Sequence, residues 1–161
     1  MSVSLELKIP PAALFIAAVC AVVLIAQWPI GKVPALLQLV GLLIIGAGVL
    51  IILSAVVQFR RHKTTLDPRT PDNASALLTS GIFAISRNPI YLAFVLLLFG
   101  LALASNSWLA LLIAPAFGGF LQVYQIKPEE RQLARSFGAS YNAYCQRTRR
   151  WLGRSSTDAA K

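Results

Sequence analysis

Long apolar runs alternate with short polar segments along this 161-residue chain. Residues 12–30 and 34–59 are each long enough to cross a hydrocarbon layer of about 30 Å as a helix. Residues 89–104 and 108–126 form a second pair, separated only by Ser105-Asn106-Ser107, which predicts a tight antiparallel hairpin. Because hydrocarbon offers no partners to exposed backbone groups, we expect all of these segments to be helices.

Composition supports a membrane protein. Hydrophobic residues make up 57% of the chain and charged residues only 13%, a balance unlike that of soluble proteins. We therefore predict an all-α polytopic membrane protein with about four transmembrane helices, in which the third and fourth form the hairpin. The length fits a single domain over residues 1–161, with a polar loop at 60–88 and a tail at 127–161 that carries a C-terminal helix.

The distribution of positive charge predicts the orientation. Of the 15 Lys and Arg residues, only Lys32 lies between the first two apolar segments, and none lies in the hairpin turn. The other fourteen fall in the amino terminus, the 60–88 loop and the tail, so both termini are expected in the cytosol, at the inner membrane if the source is bacterial. The net charge of +9 then indicates topology and anionic lipid headgroups rather than nucleic acid. The basic run 147–151 is interpreted as part of an interfacial tail helix anchored by Trp151.

Residue types that hold metals or perform nucleophilic catalysis are sparse. His62 is the single histidine, and the two cysteines, Cys20 and Cys145, lie in unlike parts of the chain. A zinc site usually needs three or four such ligands, so no metal is expected. The sequence also lacks a glycine-rich phosphate loop and a nucleophile elbow.

Two polar clusters border the apolar hairpin on the side predicted to be cytosolic. Arg87 and Asn88 precede Pro89, which suits the first turn of a helix whose unpaired N–H groups attract an anion. The acidic pair Glu129-Glu130 directly follows the last apolar segment. A cation and a helix start could hold a carboxylate while a glutamate holds an ammonium group. Together the clusters suit a zwitterionic ligand.

Four motifs follow one another in the second half of the chain: Leu78-Thr79-Ser80-Gly81-Ile82-Phe83, Arg87-Asn88-Pro89-Ile90-Tyr91-Leu92-Ala93, Glu129-Glu130-Arg131-Gln132-Leu133, and Phe137-Gly138 with Tyr141 and Tyr144. Their order and spacing resemble the isoprenylcysteine carboxyl methyltransferase family, whose relatives include the phospholipid N-methyltransferases. The resemblance covers about residues 64–151 and implies a small membrane enzyme that uses S-adenosylmethionine.

The resemblance also implies roles for individual residues. Arg87, Tyr91 and Glu130 become the candidate catalytic residues. Gln125, Tyr141 and Tyr144 are expected on the substrate side. The implied cofactor contacts are Ser75, Ala76, Leu77, Leu78, Gly81, Phe83, Arg87, Asn88, Pro89, Ile90, Tyr91, Glu129 and Glu130.

The chain departs from the family pattern in places that matter. Asn88 stands where the family usually has His, Ala93 where it has Gly, and Phe83 where it has Tyr. Asn can still donate and accept hydrogen bonds, so cofactor binding is compatible with the first change. Gln125 replaces an arginine that the family associates with a substrate carboxylate.

These observations lead to a prediction of function. We expect methyl transfer from S-adenosylmethionine to a lipophilic acceptor, such as a prenylated cysteine carboxylate, that enters laterally from the bilayer. A phospholipid or other amine is the alternative acceptor, and it would need a base to remove a proton. A nicotinamide-dependent membrane reductase and a non-enzymatic membrane protein are further alternatives. A small exporter generally needs an ionisable residue inside the membrane, and the four apolar segments contain no Asp or Glu. The acceptor and the oligomeric state stay open.

Overall fold

The computed structural model describes residues 9–28, 31–62, 77–105 and 107–154. Within these ranges the chain is helical apart from its connections and one isolated bridge between Thr148 and Arg154. The all-α prediction is confirmed. In chain order the elements are α1 (Pro11–Ala26), α2 (Ala35–Arg61), a 3₁₀ turn (Gly81–Ala84), α3 (Pro89–Ala104), a second 3₁₀ turn (Leu109–Leu112), α4 (Ile113–Leu121), a π turn (Gln122–Ile126) and α5 (Lys127–Arg147).

Two helical stretches are long and apolar enough to cross a membrane. They are α2 and the continuous stretch Leu109–Arg147. Helices α1 and α3 are apolar but have 16 residues each, fewer than the about 20 that a span usually needs. Helix α1 ends at Ala26, four residues before the predicted boundary, and the polar Gln27 is its C-cap. The four-span topology therefore stays a prediction.

Helices α2 and α3 approach each other through glycines. A Cβ atom on Gly41 would lie 2.7 Å from the Gly100 carbonyl oxygen, and a Cβ on Gly100 would lie 2.6 Å from the Gly41 carbonyl oxygen. One heptad later, a Cβ on Gly48 would lie 2.9 Å from Cγ of Leu97. Small residues let helix backbones meet closely, which is how helices associate where water supplies no driving force.

The other helices pack around α3. Phe15 of α1 stacks on Phe94 of α3 with ring centroids 4.5 Å apart, and it also meets Phe117 of α4 at 6.3 Å. The opposite face of α2 is exposed and apolar: Leu36, Leu43 and Leu50 are 71%, 67% and 65% exposed. That face suits contact with hydrocarbon.

The predicted boundary between the fourth apolar segment and the tail is a continuous helix. The π turn leads from α4 directly into α5, whose first turn holds Pro128. Helix α5 bends at Gly138, where the backbone takes φ 48° and ψ −120°. It ends at Arg147, because Thr148 is extended with φ −126° and ψ 131°. The interpretation of residues 147–151 as part of a helix is correct for Arg147 and wrong from Thr148 onward, because residues 148–154 form an irregular C-terminal strap.

Candidate functional site

The C-terminal strap is bound by backbone hydrogen bonds to the loop that precedes α3. The Arg87 N–H donates to the Arg149 carbonyl oxygen at 3.1 Å, and the Gly153 N–H donates to that of Ile85 at 2.8 Å. Within the strap, the Arg149 N–H donates to the Gly153 carbonyl oxygen at 2.9 Å. These bonds place the strap directly beside the start of α3.

The start of α3 is fixed by this contact rather than by a side-chain cap. Asn88 holds the N-cap position as predicted, but its side chain makes no capping bond. Its Nδ2 instead donates to the Arg150 carbonyl oxygen at 3.1 Å, and its backbone N–H donates to Ser86 Oγ at 3.1 Å. Pro89 occupies the first turn and is buried. The Asn88 side chain is thus engaged with the strap.

Glu130 accepts hydrogen bonds from two arginines. Arg87 Nη2 lies 2.9 Å from its Oε1, while Arg150 places Nη2 at 2.6 Å and Nε at 3.0 Å from its Oε2. The side chains of Arg87 and Glu130 are only 12% and 14% exposed, and that of Arg150 is 33% exposed. The hydrogen bonds to Glu130 raise the pKa of Arg150, which keeps it charged. Glu130 is therefore the shared counter-ion of two cations.

The neighbouring Glu129 has a different environment. Its carboxylate is hydrogen bonded with Tyr91, and its Oε2 is buried without a hydrogen-bond partner. Burial raises the pKa of Glu129 to about 7, although the bond from Tyr91 acts in the opposite direction. The charge of Glu130 raises it further. Adjacent acids thus have unlike roles: one is fully paired, and the other offers a free buried oxygen.

Two tyrosines of α5 complete the wall. The Tyr144 hydroxyl donates to the Phe83 carbonyl oxygen at 2.7 Å, and its ring meets that of Tyr141 edge-on with centroids 6.3 Å apart. The Tyr141 hydroxyl is buried and interacts with the Cys145 thiol, but it has no oxygen or nitrogen partner among the described residues. Phenols are ordinarily protonated at neutral pH, and burial raises the pKa of both tyrosines further. Tyr141 can therefore donate a hydrogen bond to a ligand.

Three buried polar atoms of this cluster have no oxygen or nitrogen partner among the described residues: Arg87 Nε, Glu129 Oε2 and the Tyr141 hydroxyl. Buried polar groups are almost always hydrogen bonded, so each such atom calls for an explanation. Two are donors suited to an anion, and one is an acceptor suited to a cation. The arrangement complements a ligand that carries both an ammonium and a carboxylate group.

Gln125 lies in the π turn, four residues before Glu129. It is buried, its Nε2 donates to the Ile9 carbonyl oxygen at 2.9 Å, and its Oε1 is buried without a partner. Single π turns within α-helices occur frequently at functional sites because they re-aim side chains. The structure thus places a neutral amide, and no positive charge, at this position.

The remaining predicted cofactor residues contribute mainly to packing. Leu78 and Phe83 form a small core with Ala55 of α2, against which Ile90 also packs, while Leu77 is half-buried. Gly81 adopts φ +60°, and a Cβ there would overlap the amide of Gln58. The group that approaches Gly81 closely, and for which a side chain there would leave no room, is therefore the amide of Gln58. Ser75 and Ala76 lie outside the described residues.

An apolar groove runs between α3 and α4 next to the strap. It has a volume of about 320 Å³. At one end the Trp151 indole N–H donates to Gln122 Oε1 at 2.9 Å. Its lining consists of Leu92, Val95, Ala114, Pro115, Gly118, Gly119, Gln122 and Trp151.

Sequence reasoning missed the strap residues. The sequence places Arg150 and Trp151 at the membrane interface, whereas in the structure Arg150 pairs with Glu130 and Trp151 lines the groove. The only indication in the sequence was their proximity to Tyr144, which already belonged to the implied site. Basic and aromatic residues near a membrane have an ordinary interfacial explanation, and this concealed the pairing.

Comparison with known protein families gives one match. A family model described as phospholipid methyltransferase matches residues 36–140, more than half of the chain. That family includes the isoprenylcysteine carboxyl methyltransferases, so the resemblance is confirmed. Comparisons with curated proteins and with solved structures found no significant match. The matched region contains α2, α3 and the acidic pair, while the strap lies beyond it.

Proposed function

This chain belongs to the phospholipid methyltransferase family, and from that premise we propose how its site works. The family implies S-adenosylmethionine-dependent methyl transfer to a lipid-like substrate of the membrane. We propose that the polar cluster at the start of α3 holds the cofactor and that the groove between α3 and α4 admits the acceptor. The observation that carries the proposal is the buried Oε2 of Glu129, which, like Nε of Arg87, has no hydrogen-bond partner among the described residues.

The residues present fit the amino acid portion of S-adenosylmethionine. Glu129 would receive the ammonium group, while Arg87 Nε and the Tyr141 hydroxyl would donate to the carboxylate. Each interaction would satisfy a buried atom that has no oxygen or nitrogen partner within the described part of the chain. The backbone near Leu77 and the ring of Tyr91 would complete the contacts that the family resemblance implies.

The cofactor, when bound, supplies a methyl group on a positively charged sulfur. The protein's own part is to bind, to align and to exclude water, because displacement at a methyl carbon depends on approach along one line. The strap serves this purpose, since its backbone bonds to the loop before α3 close one side of the cluster. The apolar lining of the groove suits an acceptor whose tail remains in the bilayer.

Two acceptor chemistries fit this arrangement. A carboxylate such as that of a prenylated cysteine is ionised at neutral pH and needs no base. An amine such as a phospholipid headgroup must first lose a proton. The neutral Gln125 favours the amine, because an amine needs no cation at the position where a substrate carboxylate would need one. We propose methylation of each acceptor as a reaction to test. We also propose that the protein crosses the membrane four times, with both termini in the cytosol.

Calorimetric titration with S-adenosylmethionine tests the cofactor site. Purified wild-type protein in detergent should bind saturably, and Glu129→Gln should bind about ten- to hundredfold more weakly because a charge-assisted hydrogen bond is lost. Arg135→Gln, an exposed change on the same helix, should bind like the wild type. Unaltered binding by Glu129→Gln would reject the role given to this carboxylate. Folded wild-type protein that does not bind would reject the proposal.

Transfer of a labelled methyl group identifies the acceptor. Vesicles containing phosphatidylethanolamine should be labelled if the acceptor is an amine, and a farnesylated cysteine should be labelled if it is a carboxylate. A base-labile methyl ester separates the second product from the first. Labelling of neither, by protein that binds the cofactor, would exclude both acceptors.

A further inference from the structure

The shared counter-ion Glu130 raises a question of charge. Arg87 and Glu130 alone would form a neutral pair, whereas the triad Arg87–Glu130–Arg150 carries two positive charges and one negative charge. The carboxylate is largely buried, so its charge is weakly screened by water. The second arginine thus decides whether the cluster attracts or ignores an anion.

We propose that Arg150 is a positioning residue that offsets the charge of Glu130, so that Arg87 is left to receive the carboxylate of the bound cofactor. This inference rests on the proposed function. It adds a residue of the strap, outside the matched family region, to the cofactor site and gives it a specific electrostatic task.

The contacts of Arg87 support this division of labour. Its Nη2 is bound to Glu130, while its Nε is buried and has no partner in the described ranges of the chain. Without Arg150, the Glu130 carboxylate would compensate the charge of Arg87 alone and would repel a second carboxylate nearby. With Arg150 bound through Nε and Nη2, Glu130 is compensated from the strap side. The charge of Arg87 is then left to attract a carboxylate, which its buried Nε could bind.

The pairing of Glu130 with the two arginines also gives the two adjacent glutamates different roles. Glu130 serves the arginines, and Glu129 keeps a buried unpaired oxygen for a cation. The backbone of Arg150 is fixed, because Asn88 Nδ2 donates to the Arg150 carbonyl oxygen at 3.1 Å. This helps to hold the Arg150 guanidinium at Glu130. At the following residue, the indole N–H of Trp151 donates to Gln122 Oε1 at 2.9 Å. Arg150 is therefore presented to Glu130 by contacts on both sides.

A simpler reading is that Arg150 only clamps the strap onto α5. Both readings predict weaker binding when Arg150 is changed, so the test must depend on the ligand's carboxylate. The probes are S-adenosylmethionine and its decarboxylated form, which keeps the ammonium and the sulfonium. Wild-type protein should prefer the carboxylate-bearing ligand.

The expected results separate charge from clamping. Arg150→Gln should lower the affinity for S-adenosylmethionine about ten- to hundredfold and leave that for the decarboxylated ligand within about twofold. Adding Glu130→Gln to this variant should restore most of the affinity, because the charge of Arg87 is then no longer compensated by a carboxylate at position 130. Arg149→Gln changes the neighbouring exposed arginine of the strap and should bind both ligands normally.

Other outcomes overturn the inference. Equal losses for both ligands in Arg150→Gln, or no rescue by Glu130→Gln, would show that Arg150 only holds the strap. Arg150→Lys keeps the charge and guards against misfolding of the Gln variant; it should retain the preference for the carboxylate. If Glu129→Gln still weakens binding while Arg150→Gln acts on both ligands equally, the inference fails and the proposed function stands. Wild-type protein that binds neither ligand overturns both.

Discussion

Helices α2 and α3 meet through backbone atoms, whereas the polar cluster at the start of α3 is joined by side chains distant in sequence. At the helix contact, Gly41 and Gly100 leave no room for a Cβ atom. At the cluster, Asn88 bonds a carbonyl 62 positions away, and Glu130 bonds an arginine 20 positions away. The first contact depends on shape alone, and the second depends on charge and protonation. Changes in the first should therefore alter folding, while changes in the second should alter binding.

The largest expected effect is on the glycine contact. Gly100→Val should lower the free energy of unfolding by about 3 kcal/mol or more, because the new side chain would meet the Gly41 carbonyl oxygen. Thermal unfolding in detergent measures the loss. Gly46→Ala is the matched control, since a Cβ there meets nothing within 4 Å. Equal melting temperatures for the two variants would mean that shape does not control this contact.

The second prediction concerns pH and the polar cluster. The raised pKa of Glu129, about 7, means that the ligand-free carboxyl is largely protonated in mildly acidic solution. An ammonium group needs the ionised form, so affinity for S-adenosylmethionine should fall by roughly tenfold per pH unit below about 7 and level off above it. Titration calorimetry between pH 5.5 and 8.5 gives the profile. Glu129→Gln should flatten it, and an unchanged slope would assign the titration to another group.

The same shift predicts the stability of the ligand-free protein. The pKa of Glu129 in the folded protein lies above its ordinary value of 4.5. The contribution of protonated Glu129 to the free energy of unfolding is therefore fully present below about pH 4.5, and it is lost as the pH rises through about 7. Glu129→Gln should therefore raise the free energy of unfolding at pH 8 by about 1–3 kcal/mol. The difference from wild type should shrink as the pH approaches 4.5. Chemical unfolding at several pH values measures it.

The apolar pattern predicted most of the helices. Helix α3 has the predicted bounds, and α2 differs from its prediction by one or two residues at each end. The continuation of α4 into α5 was not predicted, because a π turn has no periodicity of its own that a sequence reveals. The non-helical strap was also missed. Its shape depends on the bond between Gly153 and Ile85, which are far apart in the chain.

The candidate site was predicted by residue type but not by pairing. The nearness of Arg87 to the acidic pair followed from membrane sidedness and the family resemblance, and the ion pair with Glu130 agrees with it. The sequence left open which glutamate would serve a ligand. That distinction involves Arg150, since its guanidinium binds Glu130, whereas Oε2 of Glu129 has no partner among the described residues. Which of the two adjacent glutamates can bind a ligand is thus linked to the pairing of Glu130 with Arg150, and the local sequence around the glutamates does not reveal this pairing.

A smaller effect is expected from the hydroxyl that joins α5 to the loop before α3. Tyr144→Phe removes the buried bond to the Phe83 carbonyl oxygen and should cost about 1–2 kcal/mol of unfolding free energy. Tyr124→Phe, in the half-buried π turn, provides the matched loss of a hydroxyl and should cost less. Cofactor affinity should fall little in either variant. A large fall for Tyr144→Phe would show that this bond also orders the cluster.

The smallest expected effect is at Trp151, where the polar cluster and the apolar groove meet. Trp151→Phe removes the indole N–H that donates to Gln122 but keeps an aromatic ring against the groove. Because the bond is only partly buried, the loss should be about 0.5–1 kcal/mol, less than for Tyr144→Phe. Thermal unfolding compares the two. If Trp151→Phe proves the more damaging, the strap is held mainly by its packing in the groove, and the contrast between a shape-controlled and a charge-controlled region no longer holds at this end of the molecule.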